Sequence, residues 1–260
     1  MKPGLLTRIN ALGLATGVGI LLLWELVMRV GLVDLEYLPM PSEISEGGWE
    51  IVENGKLFEN LAHTLAAAVV GWLAAVVVGV ALGTLIGLLR PVWTYTMASI
   101  DSLRSLPIVA FVPVAVLLFG FSMQTEILLA FYAALWPITL NTISGMHSLD
   151  QRKREVGRVL KLGTFGELWK LRLPAATPSI VVGLRLGISI SLVLTLVAEM
   201  VGNPAGLGFA LIQSAQALRP ELMFAYIIAI GLTGIVLNAL LQSGARLLFR
   251  GQMAAAGDIA

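Results

Sequence analysis

Leu65–Leu88 reads LAAAVVGWLAAVVVGVALGTLIGL, twenty-four residues without one charged side chain. At ~1.5 Å per residue a helix of this length exceeds the ~30 Å of a bilayer's hydrocarbon core. A transmembrane strand would need only ~10 residues of alternating polarity, and this run is continuous. Working outward, five more such stretches recur: Ile9–Met28, Ser99–Phe119, Glu126–Met146, Pro178–Glu199 and Met223–Leu247. The whole chain agrees. Of 260 residues, 57% are hydrophobic and 13% charged, with a mean hydropathy of +0.88; an ordinary soluble domain carries about 25% charged residues. The expectation is an all-α membrane protein with six transmembrane helices and no separate soluble enzyme domain. Ile9–Met28 follows Lys2 and Arg8 but lacks a small-residue cleavage site, so it is expected as an uncleaved first helix rather than a signal peptide.

Several chemistries are argued against. There is no cysteine, hence no disulfide framework, iron–sulfur site or thiol chemistry. The two histidines, His63 and His147, lie far apart in the chain, which speaks against a histidine-based metal site. Both are expected at the membrane surface with no catalytic neighbour, and no metal, cofactor or catalytic residue is assigned. A net charge of +1 gives no support for a nucleic-acid partner.

Charge sets the orientation. Residues 31–60 carry seven acidic residues against Lys56 alone. Residues 150–172 carry seven basic residues against three acidic ones. Basic loops stay in the cytoplasm. The loop before the fifth stretch is therefore predicted inside, and counting spans puts both termini inside as well. In the acidic segment, Pro39 and Pro41 keep the chain extended, Ser42 is expected to cap a short helix through Val52, and Asn54-Gly55 reads as a turn. This segment reads either as a solvated connector or as a contact surface for an external partner.

Two rows of small residues follow helical spacing. Gly71, Ala75, Gly79, Gly83 and Gly87 recur every fourth position, which permits close helix packing in lipid. Gly183, Gly187, Ser191, Thr195 and Glu199 form a second row that becomes hydroxylated and ends in an acid. Polar groups at membrane depth face the protein interior or a water-filled path. Gly187, Ser191 and Thr195 are accordingly candidates for a translocation route; hydrogen bonds to their own helix and a water-facing Glu199 are the alternatives. Pro107 and Pro113 break the third stretch, and broken helices accompany substrate paths in transporters. Asp101 and Arg104 can pair there. Arg185 and Glu25 are expected to reach the interface.

The loop 150–177 reads DQRKREVGRVLKLGTFGELWKLRLPAAT. One helical piece is predicted from about Arg152 to Leu162, stopping at Gly163. A second starts at Thr164, with Glu167 completing a capping box, an apolar side of Phe165, Leu168, Trp169 and Leu171, and Pro174 as its end. Such a side is buried either on a membrane surface or in a partner's groove.

Glu155-Val156-Gly157, followed at fixed distance by Leu173-Pro174, resembles the EAA loop of ABC importer permeases. Val156 stands where a small residue is usual and Lys161 where glycine is common, with Gly163 two residues later; the Val-Leu-Lys-Leu variant is similar to the nitrate and bicarbonate branch. Leu38-Pro39-Met40-Pro41-Ser42, Leu103-Arg104-Ser105-Leu106-Pro107, Trp136-Pro137-Ile138 with Asn141-Thr142, Pro174–Ile180 and Val197-Ala198-Glu199 look like sulfonate, taurine and nitrate permeases, in the same order. The resemblance implies a type I ABC importer permease fold. Residues 1–56 would hold the first helix and the acidic periplasmic segment, 57–250 the core transmembrane domain with its coupling loop, and 251–260 a cytoplasmic tail. It further implies a second permease copy as a homodimer, two cytoplasmic ATPases that bind ATP and Mg, a solute-binding protein outside, an inner-membrane location, and a small anion as cargo. The ATPase-coupling residues implied are Glu155, Val156, Gly157, Lys161, Leu162, Gly163, Thr164, Phe165, Glu167, Leu168, Trp169 and Pro174. No Gly-x-x-x-x-Gly-Lys-Ser/Thr loop exists in the chain, so ATP belongs to another protein. A self-contained secondary transporter is the alternative, with Glu25, Arg185 and Glu199 as its coupling groups.

Overall fold

In lipid, every backbone N–H and C=O must find a partner within its own segment, and the helix is the direct solution for these apolar runs. The computed structural model describes residues 11–32, 35 and 37–248, and contains no strand among them. In chain order the helices are α1 (Ala11–Arg29), α2 (Pro41–Glu53), α3 (Lys56–Leu88), α4 (Arg90–Arg104), α5 (Val112–Phe119), α6 (Met123–His147), α7 (Gln151–Val159), α8 (Thr164–Glu167), α9 (Leu173–Gly202), α10 (Leu207–Gln216) and α11 (Pro220–Leu248). Four described helices are long and apolar enough to cross a membrane: Lys56–Leu88, Met123–His147, Thr164–Gly202 and Pro220–Leu247. A fifth is added if Arg90–Arg104 and Ile108–Phe119, bent by 74° at their break, count as one span. The expected start of the first span at Ile9, the charges Lys2, Arg8, Asp34, Glu36 and Arg250, and the tail 251–260 lie outside the described residues, as do the side chains of Arg152 and Arg154.

The two prolines of the third stretch act differently. Pro107 stands immediately before a short 3-10 turn, Ile108–Phe111, at the bend itself. Pro113 lies in the first turn of α5, where a missing N–H costs no helical bond. It starts a helix rather than breaking one.

The loop departs from expectation at three points. The first helix ends at Val159 rather than Leu162, and Lys161 turns with φ +49°. Gly163, not Thr164, is the N-cap of α8 and makes no side-chain cap. Glu167 instead accepts hydrogen bonds from Arg172 at 2.9 Å. Pro174 does not end the second helix. A wider π turn over Leu168–Arg172 carries the backbone directly into α9, so the proline sits in that helix's first turn.

The chain divides into two compact units, residues 1–59 with 210–229, and 60–209 with 230–260. In the first, α2 buries Ile44 and Ile51. A Cβ at Gly47 would lie 2.9 Å from the Glu221 carbonyl oxygen, so only glycine permits this approach. Arg219 grips Glu50 with two bonds of 2.7 and 3.0 Å. Ser42 is not a cap. It lies inside α2, donating from both N–H and Oγ to Glu25, while the Glu43 carboxylate accepts the Met40 N–H. Asn54 and Gly55 form the turn as expected, with Gly55 at φ +74°.

The second unit is organised around α6, which packs between α3 and α9. The small residues of α3 meet α6 turn by turn. Built Cβ atoms at Gly71, Gly79 and Gly87 would come within 3 Å of Ala130, Ile138 and Met146, and at Gly83 within 2.7 Å of the Thr139 carbonyl oxygen. Ala75 joins Ala134, Leu135 and Ile138 in one apolar cluster. On the other side, Gly183 approaches Pro137 and Asn141, and Gly187 approaches Ile138. Thr139 and Thr142 are buried at no polar cost because each hydroxyl donates to the carbonyl four residues earlier.

Candidate functional site

Two regions stand out chemically, at opposite ends of α6. The first is assembled near Met123, where α3, α6 and α9 end together. α3 begins nine residues before the expected Leu65, and this added length carries Asn60, His63 and Thr64. His63 Nε2 lies 3.1 and 3.2 Å from the two Glu126 carboxylate oxygens. Asn203 donates to Glu126 as well. Glu199 is fully buried; its Oε1 accepts from the Thr64 hydroxyl at 2.7 Å and its Oε2 from the Gly208 N–H at 2.8 Å. Asn60 Oδ1 accepts the Gly206 N–H and Thr64 Oγ1 the Leu207 N–H. Three successive backbone donors opening α10 are thus satisfied by side chains of α3 and α9, the work a local N-cap does elsewhere. Gly206, at φ +99°, has a Glu199 carboxylate where a side chain would start, so any other residue collides.

This overturns one expectation and one of the alternatives. His63 is not a surface residue without acidic neighbours, because the upstream extension of α3 turns it onto α6. Glu199 does not meet water, because the Gly202–Gly208 turn folds over it. The sequence holds the two rows but not their meeting point. Extending the α3 row backwards by fours from Gly71 reaches Ala67 and His63, and extending the α9 row forwards from Glu199 reaches Asn203. His147 is exposed at the far end of α6, edge-on to Trp93 at 5.6 Å.

Several other polar residues of the spans find partners, while the buried Thr195 hydroxyl has none. Ser191 Oγ donates to the Ala68 carbonyl at 2.7 Å, across the α3–α9 seam rather than along its own helix. Trp72 Nε1 donates to the Leu184 carbonyl in the same seam. Gly187, Ser191 and Thr195 are all buried there, and a role on a translocation route would require this seam to part. The segment after Pro107 packs elsewhere: Ile108, Val112, Ala115 and Val116 cluster with Leu129, Val197 and Ala198. Arg185 donates to Asn238 on α11 rather than reaching an interface alone, Glu25 pairs with Arg29, and Asp101 pairs with Arg104 at 2.9 Å.

The second region is the loop after α6. Its backbone is built closely: a Cβ at Gly157 would lie 2.9 Å from Leu171. Its large apolar side chains are left out. Val159 is 82% exposed, Leu160 63%, Phe165 75% and Trp169 59%. The Phe165 and Trp169 rings sit 6.1 Å apart on one side of the α8 turn. Leu162, Glu167 and Leu168 are half-buried, while Glu155, Lys161, Gly163 and Thr164 are exposed.

Residues 75–252 match the family described as binding-protein-dependent transport system inner membrane component. The chain is 32% identical over 222 residues to a putative aliphatic sulfonates transport permease, SsuC, of Bacillus subtilis, covering 85% of this chain and 80% of that protein. It is 31% identical to the nitrate import permease NrtB of Leptolyngbya laminosa, covering 77% and 75%, and 28% identical to the taurine transport system permease TauC of Escherichia coli, covering 90% and 86%. The inward-facing MetNI methionine ABC transporter shares the fold, with a TM-score of 0.61 at 18% identity over 73% of this chain and 93% of that one. The loop after α6, the α3–α6–α9 packing and these relatives converge: the chain belongs to the binding-protein-dependent transport system inner membrane component family, among the ABC importer permeases of the nitrate, sulfonate and taurine group.

Proposed function

We propose that this chain is the membrane-spanning subunit of an ATP-driven importer of a small anion, and that it takes its motion from a separate ATPase docked on the loop 150–177. The observation that carries the docking role is the exposure of four large apolar side chains, Val159, Leu160, Phe165 and Trp169, along a basic stretch of sequence from α7 to the turn after α8. Exposed aromatic pairs on a short rigid turn are the usual anchors of a protein interface. Glu155, Val156, Gly157, Lys161, Leu162, Gly163, Thr164, Glu167, Leu168 and Pro174 shape and frame this turn. ATP and Mg are held by the ATPase. The charge asymmetry between residues 31–60 and 150–172 supports six spans with both termini inside, in a bacterial inner membrane. A solute-binding protein outside, a second copy of the chain and two ATPases complete the assembly. The resemblance to sulfonate, nitrate and taurine permeases supports a small anionic cargo.

On the route itself, we place the bent segment from Pro107 to Pro113 at its edge and the seam of Gly187, Ser191 and Thr195 beside it, opening during the cycle. The secondary-transporter reading is weakened because Glu25 and Arg185 are tied to Arg29, Ser42 and Asn238.

The test is the double substitution Phe165→Glu with Trp169→Glu, which alters only exposed side chains. The expected outcome is a chain that inserts and purifies normally, loses its ATPase on co-purification, and no longer supports ATP-driven uptake. Retained ATPase with unchanged uptake overturns the docking assignment.

A further inference from the structure

His63, Glu126 and Glu199 each bring one ligand atom to a common point, all within 4.8 Å of one another. Both carboxylates are shut away from solvent, while His63, at 20% side-chain exposure, forms the opening. Its Nε2 is 3.1 and 3.2 Å from the Glu126 oxygens. Two donors held ~2.0–2.2 Å from one first-row ion lie about 2.8–3.1 Å apart in octahedral and about 3.3–3.6 Å apart in tetrahedral geometry, so this separation matches one edge of a coordination shell. A Glu199 carboxylate oxygen completes the group within 4.8 Å of the other two ligand atoms.

Charge points the same way. Among the described residues, the charged groups acting on Glu199 are Glu126 and His63, with no lysine or arginine. Two buried carboxylates facing a single imidazole can both stay ionised only with a further positive charge beside them, so the cluster has a place for either a proton or a metal cation. Each Glu199 oxygen uses one lone pair, towards Thr64 or Gly208, and keeps another. Asn203, already in contact with Glu126, presents its carboxamide oxygen after a half-turn. One turn before Glu199, on the same face of α9, the Thr195 hydroxyl is fully buried and has no hydrogen-bond partner.

The geometry points to a site for a divalent first-row cation of the Zn2+ or Mn2+ class, held by His63 Nε2, the Glu126 and Glu199 carboxylates and the Asn203 carboxamide oxygen. One imidazole among oxygens selects these ions over Mg2+ and Ca2+, which favour all-oxygen shells. The ion pins α3, α6 and α9 together at the end where they cap α10. This goes beyond the transport role and stands or falls separately from it.

The experiment uses the full chain purified in detergent, stripped with chelator and dialysed against Zn2+ or Mn2+, with bound metal measured by mass spectrometry and Co2+ substitution followed by visible absorption. The expected result is about one ion per chain, a rise in Tm on metal addition, and a Co2+ spectrum of low-symmetry coordination. His63→Gln and Glu126→Gln each weaken binding by on the order of 100-fold, whereas His147→Gln leaves it unchanged. Asn203→Asp supplies a charged ligand and strengthens binding about tenfold, an effect that loss of fold cannot mimic. Binding well below one ion per chain, or binding unmoved by His63→Gln and Glu126→Gln, overturns the site. So does an Asn203→Asp chain that loses stability and is not rescued by the metal.

Discussion

At one end of α6 the chain buries charge, and at the other it exposes hydrophobic rings. The two regions lie about 37 Å apart at ~1.5 Å per residue along the 25 residues of this helix. Both invert the usual sorting of side chains, yet they differ in kind. The His63–Glu126–Glu199–Asn203 cluster resolves much of its inversion internally: Thr64, Asn60 and three backbone N–H groups share its hydrogen bonds. The Val159–Trp169 surface resolves nothing, since no described part of the chain covers Phe165 or Trp169. The first is a joint of this protein; the second, on the function proposed above, is half of a joint whose other half is another protein.

The largest effect is expected between the two ends. Gly83→Leu forces a branched side chain into space where even a Cβ would lie 2.5 Å from Thr142 Cβ, against backbone that cannot yield. Overpacking of this kind costs upwards of ~3 kcal/mol and should abolish the monodisperse peak on size exclusion, disrupting both regions together.

A smaller, one-sided effect is expected at the polar end. Glu199→Leu strands the Thr64 hydroxyl and the Gly208 N–H, at about 1–3 kcal/mol each, so Tm should fall by about 2–4 °C for each kcal/mol lost. ATPase co-purification should survive. If this change also released the ATPase, the two ends would be coupled more tightly than their separate chemistry implies.

How much of this was legible in the sequence follows the same division. The α3 packing row was readable because small residues every fourth position have one use in lipid. The apolar side of Phe165 and Trp169 was readable because helical spacing puts i and i+4 together. The polar cluster was not. Its members lie in three distant segments, and only the fold shows that the row ending at His63 and the row ending at Glu199 and Asn203 converge on Glu126. The π turn that carries Pro174 into α9 was equally hidden, because proline ordinarily ends the helix it interrupts and here a wider turn absorbs it.

Labelling sharpens the comparison within the seam. On the cysteine-free chain, Ser191→Cys and Thr195→Cys should be unreactive to a water-soluble thiol reagent at rest, since both positions are buried. If the seam parts during the cycle, their reactivity rises when ATP is added. Inertness in every nucleotide state would make it a permanent packing contact.

The smallest effect concerns Glu50 and Arg219. The Arg219 guanidinium bonded to Glu50 holds this carboxyl below the ordinary value of 4.5. A depressed carboxyl contributes stability that is present above the unfolded value and is lost as pH falls through the folded one. A slight loss of thermal stability is therefore expected as pH drops below 4.5, and Arg219→Gln should remove that slope. An unchanged slope in the variant would assign it to other acids.

The central claim, that the exposed apolar turn is covered by an ATPase, is tested most directly by solvent access. Thr164→Cys and Lys170→Cys flank Phe165 and Trp169 without replacing them, and both positions are exposed in the chain alone. Glu46→Cys on α2 provides an exposed reference. In membranes holding the complete transporter, the two loop cysteines should react with a soluble thiol reagent far more slowly than after the ATPase has been stripped away, while the reference is unchanged. Equal reactivity with and without the ATPase would contradict the account.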